Sequence, residues 1–179
     1  MLSERVIFSR IWAMPNRHTF LIPPIRELVK FYMANQNHLW IDPFCGMYSP
    51  AHVCNDLNPD ILRTFKELDI SHMDAVDFLK MQEDEAYDGI LLDPPYSNRQ
   101  RSEVYKKVGM LYDGQDGRLM KAVKHEAARI VKPNGIAISC CWNSSGVGKK
   151  NGFEIIEILL VSHGGWHNDT IVTVERKLA

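Results

Sequence analysis

The chain has 179 residues, 45% of them hydrophobic, which suits one domain with a real core and excludes a disordered chain. Its 21 basic and 22 acidic residues leave a formal charge of -1, so no global positive field marks a nucleic-acid binder, and any such contact must use a local patch. No apolar run approaches about 18 residues, the N-terminus lacks the basic-then-apolar pattern of a secretory signal, and the cysteines at 45, 54, 140 and 141 show neither Cys-x-x-Cys nor zinc-finger spacing. These features predict a soluble cytoplasmic protein with reduced thiols, no membrane partner and no structural metal.

Residues 1–22 carry Arg5, Arg10, Arg17 and His18 among apolar residues, and their conformation is not legible from pattern. Pro23-Pro24 opens a helix where proline is tolerated, and Ile25, Leu28, Val29 and Tyr32 recur at helical spacing. Leu39-Trp40-Ile41 reads as the first strand and Val53-Cys54-Asn55 as the second. Only eight residues separate Phe44 from Val53, whereas a parallel crossover normally takes about a dozen or more, so the usual helix between them is missing or reduced to a turn. Asn58-Pro59 starts a helix striped by Ile61, Leu62, Phe65 and Leu68. A short strand near 69–73 follows, then a helix from an Asp74 cap to about Met81. Residues 87–93 form a central strand, and 97–109 a polar loop with a short helix. Gly117 to Lys132 is helical and is stopped by Pro133-Asn134-Gly135. Gly135 to Trp142 is the next strand. Phe153 to Ser162 and Thr170 to Glu175 make an antiparallel pair, because the seven residues between them cannot hold a crossover helix.

The run Tyr87-Asp88-Gly89-Ile90-Leu91-Leu92-Asp93-Pro94-Pro95-Tyr96 organises the rest. Two prolines must end a buried strand because neither donates to a ladder, which leaves Asp93 and Tyr96 at its carboxyl end. In an open α/β sheet that end is where ligands bind. Asp93 and Pro94 each precede a proline and are biased to extended backbone, so the corner is stiff. It presents the Asp93 carboxylate and the Pro94 carbonyl as paired acceptors beside an aromatic ring. Such a corner suits an exocyclic amine on a flat heterocycle, whose nitrogen attacks only once its hydrogens are held and its lone pair leaves the ring. Taken alone, Asp-Pro-Pro-Tyr also reads as a plain strand end.

Alternating strands and helices closed by an antiparallel pair, with acidic residues ending several strands, resemble the class I S-adenosylmethionine-dependent methyltransferases. With Asp-Pro-Pro-Tyr after the fourth strand, the chain looks most like the adenine-N6 DNA methyltransferases of bacteriophages and mobile elements. The resemblance runs from Thr19 to the C-terminus and implies a Rossmann-like, mostly parallel sheet; the length suits a single domain over 1–179, which leaves little room for the separate target-recognition domain that the family's sequence-specific members carry. It implies S-adenosylmethionine as cofactor and DNA as partner. Asp93, Pro94, Pro95 and Tyr96 match the catalytic motif, in which the acid and the first proline carbonyl bind the amine while the ring stacks on the base. Asp42, Pro43, Phe44, Cys45 and Gly46 match the motif whose turn lies against the cofactor's methionine part. Asp56, followed by Leu57, matches the acid on the ribose hydroxyls, and Asp74, followed by Ala75, the one near the cofactor's adenine. Thr19-Phe20 with Ile22-Pro23-Pro24 is similar to the looser N-terminal cofactor motif.

Two departures stand out. Tyr48 occupies the place of the family's second loop glycine, where the helix after the first strand is also missing or reduced to a turn, and the target-recognition domain of the family's sequence-specific members has no counterpart. The expected reaction is methyl transfer to the N6 amine of adenine in DNA. RNA or cytosine-N4 targets, and a non-catalytic subunit that binds nucleic acid or a partner, stay open, as does a homodimer or partner protein supplying specificity. Plainer roles compete: Asp74 as an N-cap, Asp56 as a strand end, Trp40 and Phe44 as core. His163 and His167 lack the further ligands of a metal site.

Overall fold

One eight-stranded sheet carries the molecule, and it is mixed because a single strand runs against the rest. The computed structural model describes residues 5–64, 70–95, 102, 105, 106 and 116–179. The strands are β1 (Ile7–Trp12), β2 (Trp40–Asp42), β3 (Val53–Asn55), β4 (Ile70–Ser71), β5 (Tyr87–Leu92), β6 (Val131–Cys141), β7 (Phe153–Ser162) and β8 (Thr170–Lys177). Their spatial order is β1-β7-β8-β6-β5-β2-β3-β4, with β8 antiparallel to both neighbours. The other strands therefore send their carboxyl ends to one edge.

Helix α1 (Pro23–Tyr32) places Ile25 and Val29 on one face of the sheet, against Trp40, Leu91, Ile138 and Val172. Helices α3 (Ala75–Lys80) and α4 (Asp116–Ile130) cover the other face, where Phe78, Leu79, Val123, Ala127 and Ile130 meet Ile41, Ile90, Leu92 and Ala137. Successive residues of β2, β5 and β6 thus enter opposite cores, which is why their central residues, Trp40-Ile41, Ile90-Leu91-Leu92 and Ile136-Ala137-Ile138, are apolar without alternation. The short α2 (Pro59–Thr64) starts at Asn58, whose Oδ1 accepts from the Asp60 N–H at 3.2 Å. Part of the stripe expected on that helix, Phe65 and Leu68, lies outside the described residues, as do most of 97–109.

No helix joins β2 to β3. They pair in parallel, Ile41 with Val53, across a loop of turns. Two boundaries differ from the pattern reading. Residues 7–12 form an edge strand parallel to β7, a pairing made some 150 residues away along the chain, which local pattern does not encode. The last helix ends at Ile130, and Val131 already pairs with Tyr87 before the ladder shifts and resumes at Ile136 with Gly89. Pro133 and the left-handed Asn134, at φ 64°, sit in that interruption, where the missing N–H costs no ladder bond. No helix among the described residues is long and apolar enough to cross a membrane.

Candidate functional site

The chain runs β2, β3, β4 toward one side of the sheet and then returns to place β5 on the other side of β2. That reversal opens a crevice at the strands' carboxyl ends. A cavity of about 430 Å³ fills it. Pro43, Phe44 and Gly46 enter it after β2, Asp56 and Leu57 after β3, Asp74 and Ala75 from the cap and first residue of α3, and Asp93, Pro94 and Pro95 after β5, with Thr19 from the N-terminal segment. The other three cofactor-motif residues stand behind it: Phe20 and Cys45 are buried, and Asp42 is fully buried. Tyr96 lies outside the described residues.

Side chains do the work of the lost crossover helix. Asp42 accepts from the Phe44 N–H at 2.9 Å and from the Ser49 hydroxyl at 2.6 Å, which ties both ends of the turn to β2. Burial pushes the Asp42 carboxyl well above the usual carboxylate range, against those two hydrogen bonds. Asp56 accepts from the Gly46 N–H at 2.9 Å and the Asn58 N–H at 2.7 Å, and burial raises its carboxyl too. Gly46 has φ +54°, the left-handed region that glycine enters without strain, so its N–H can turn toward Asp56.

Behind the turn, the fully buried Asn55 joins two loops. Its Nδ2 donates to the carbonyls of Pro43 at 3.2 Å and Met73 at 3.1 Å, and its Oδ1 accepts from the Met73 N–H at 3.1 Å. The neighbouring Asp74 caps α3 by accepting from the Val76 N–H at 2.8 Å through Oδ1, while its Oδ2 accepts from the Tyr105 hydroxyl at 3.0 Å. A cap role and a place on the cavity wall coexist in one carboxylate. Tyr48 packs edge-on against His18, ring centroids 4.7 Å apart, and His18 Nε2 accepts from Arg17 Nε at 2.9 Å. The residue in place of the second glycine thereby binds the N-terminal segment to the loop.

No protein-family profile matches the chain, and no curated protein matches it in sequence. Solved structures do. TrmN from Thermus thermophilus aligns with 88% of this chain at a TM-score of 0.60 and 16% identity, and the chain spans 49% of TrmN. A SAM-dependent methyltransferase from Archaeoglobus fulgidus aligns with 85% of this chain and 94% of its own, at 0.56 and 11%. The 1,6-didemethyltoxoflavin-N1-methyltransferase of Burkholderia thailandensis, solved with S-adenosylhomocysteine, aligns with 86% of this chain and 78% of its own, at 0.56 and 10%.

The fold is that of the S-adenosylmethionine-dependent methyltransferases. The Rossmann-like sheet with its antiparallel C-terminal pair is as the sequence predicts. On this methyltransferase fold several residues that pattern reading passed over reach the crevice: Arg17, Asn58, Ile61, Tyr105 and Leu119 line the cavity, and Asn55 and Ser49 brace it. An asparagine closing a short buried strand was a usable signal, since the residue is depleted in strands and must find partners when buried. His163 is buried, with its ring nitrogens 2.9 Å from the Ala13 carbonyl and the Thr170 hydroxyl. No three potential metal ligands gather among the described residues.

Proposed function

We propose that the protein transfers a methyl group from S-adenosylmethionine to the N6 amine of adenine in DNA. The observation that carries this reading is that Asp93, Pro94 and Pro95, at the end of the central strand, share one cavity with Asp56 and Asp74. The donor set suits the cofactor: carboxylates for hydroxyl and amine donors, and apolar surface from Phe44, Leu57, Ile61 and Leu119 for a flat ring, in a volume ordinary for small-molecule sites. In this reading Asp56 holds the ribose, Asp74 and Ala75 flank the adenine, and the Pro43–Gly46 turn, backed by Asp42 and Cys45, lies along the methionine part. Thr19 closes the cavity with Phe20 behind it, and Arg17 is available to a carboxylate. When bound, S-adenosylmethionine supplies an electrophilic methyl carbon.

Asp93 and the Pro94 carbonyl accept the two hydrogens of the target amine. Their hold strengthens as the nitrogen becomes tetrahedral, which is transition-state stabilisation. The amine attacks directly, so no covalent enzyme intermediate is needed. A duplex base must leave its stack to reach Asp93, and Tyr96 is assigned to stacking on it.

Mass spectrometry of nucleosides after incubation with S-adenosylmethionine and DNA or RNA tests the acceptor, with N6-methyladenine in DNA the expected product. Label confined to RNA or to cytosine would overturn the adenine-DNA assignment. The lost helix and Tyr48 favour a second, non-catalytic reading, which calorimetry with S-adenosylhomocysteine separates from the first. Within residues 1–179, the N-terminal segment, 97–116 and the loops at 143–152 and 163–169 are the stretches outside the sheet and its covering helices that base readout would use, and readout takes several placed side chains. The purified protein should therefore have a short or relaxed sequence preference, or take specificity from a homodimer or partner. Mapping methylated adenines on a random DNA library decides this, and a strict motif of about six base pairs would refute it.

A further inference from the structure

A second cavity, of about 380 Å³, lies across the end of β5 from the first, and the two share Pro94. It is bounded by the first turns of α4, the ends of β5 and β6, and the loop that follows β6. Direct group transfer needs a donor and an acceptor that meet at the reacting atoms. Two chambers meeting at the residue beside Asp93 provide that layout, and the strand-end acids Asp56 and Asp74 lie in the first alone.

The second chamber is built and held. Glu175, buried on β8, accepts from the N–H groups of Val147 at 2.5 Å and Gly148 at 2.9 Å, and Asn143 Oδ1 accepts from the Ser145 N–H at 2.9 Å, so the loop wall is pinned. Leu92 and Met120 give it apolar surface, and Trp142 stands half exposed beside them. Ser139, 8% exposed, lines the wall, and its Oγ has no hydrogen-bond partner among the described residues. Its cross-strand neighbour Thr173 is also buried with an unpartnered hydroxyl. The third such atom, Trp40 Nε1, belongs to the core on the opposite face. Buried hydroxyls without partners are rare because they forfeit their hydration, so Ser139 Oγ on the cavity wall, with Thr173 beside it on the neighbouring strand, marks where a polar atom is received. Among the described residues the lining of this chamber carries Lys124 and no acidic side chain, Asp93 standing at its border in the first cavity, which suits the neutral ring of an amine whose nitrogen reaches Asp93.

We propose that this second cavity is the acceptor chamber, that it takes the neutral planar ring of a heterocyclic amine of the nucleobase class, and that Ser139 Oγ hydrogen-bonds the ring edge. The proposal rests on the methyltransferase reading. A hydroxyl both donates and accepts, so it can serve a ring nitrogen or an exocyclic group.

The test uses the full chain, labelled with ¹³C-methyl methionine and titrated with deoxyadenosine monophosphate, while S-adenosylhomocysteine affinity is measured separately by calorimetry. The nucleotide should shift the Met120 methyl signal, identified through Met120→Leu. Ser139→Ala should weaken nucleotide binding about three- to tenfold, the size of one neutral hydrogen bond. Met120→Trp, which fills the chamber, should abolish it. Both variants should keep S-adenosylhomocysteine affinity within twofold, which also shows that they fold. Absence of nucleotide binding, binding that leaves Met120 unmoved, or equal affinity in both variants overturns the acceptor chamber. Failure of the wild type to bind S-adenosylhomocysteine instead overturns the methyltransferase reading, so the two failures are read on different ligands.

Discussion

Removing the Asn55 side chain should loosen the proposed cofactor site without replacing any residue that lines it, since Asn55 acts from behind through Pro43 and Met73. Asn55→Ala deletes three buried hydrogen bonds, to Pro43 O, Met73 O and Met73 N. At about 1 kcal/mol net each, the loss is about 3 kcal/mol, or roughly 6–12 °C in Tm for a chain of this size. Asn55→Asp is the sharper probe because it keeps the shape. It retains the acceptor for Met73 N–H, loses both donors, and turns a carboxylate toward two carbonyls in a fully buried position. At about pH 7 it should cost at least as much as alanine. Its folded carboxyl pKa is raised above the unfolded value, so the deficit should shrink as pH falls toward about 4 and the group becomes neutral. Urea unfolding at several pH values gives both numbers, and calorimetry with S-adenosylhomocysteine shows whether the loosened loops cost affinity. Asn55→Ala within about 0.5 kcal/mol of wild type would show that the latch is idle, since that is the range of neutral surface changes. A pH-independent deficit in Asn55→Asp would refute the buried-charge argument.

Asp56→Ala should weaken S-adenosylhomocysteine binding by about 1.5–3 kcal/mol, the range for hydrogen bonds to a charged group, and unchanged affinity in calorimetry would remove Asp56 from the site. Asp93→Ala should abolish most methyl transfer while cofactor affinity stays within a few-fold. Tyr96→Phe should be mild and Tyr96→Ala severe, since stacking is worth roughly 1–3 kcal/mol per base, and near-normal turnover in Asp93→Ala would reduce the motif to a strand end. Gly89→Ala would put a methyl group 2.5 Å from the Trp40 ring. It should cost about 1–3 kcal/mol in urea unfolding, and a neutral result would mean the ring has room to move. The Asp42 carboxyl, raised by burial, binds its proton more tightly folded than unfolded, so its stabilising share is full below about 3.8 and is lost as pH rises through the folded value. Asp42→Asn should therefore lose less stability than wild type between about pH 4 and pH 8, and equal slopes would contradict this.

Much of the architecture follows from chemistry that acts within a few residues. Two prolines end β5 after Leu92, Asn58 and Asp74 cap the helices that follow them, and ten residues between Asp42 and Val53 are too few for a crossover helix. Seven residues after Ser162 force an antiparallel return. These are steric and hydrogen-bonding constraints that any fold of the chain must meet, and they place Asp93, Asp56 and Asp74 at strand ends in advance of any long-range contact. Contacts distant in sequence decided the rest. Residues 7–12 are a strand only because β7 offers its edge. Asn55, Ser49 and Glu175 matter through groups that local pattern does not connect to them: the Met73 backbone, a carboxylate on β2, and N–H groups on the loop after β6. The first chamber exists because β5 enters the sheet on the far side of β2 from β3 and β4, and the second opens across Pro94 where α4 and the loop after β6 meet the ends of β5 and β6. Strand order is set by the summed burial of both sheet faces, a property of the whole assembly that no single stretch of residues encodes.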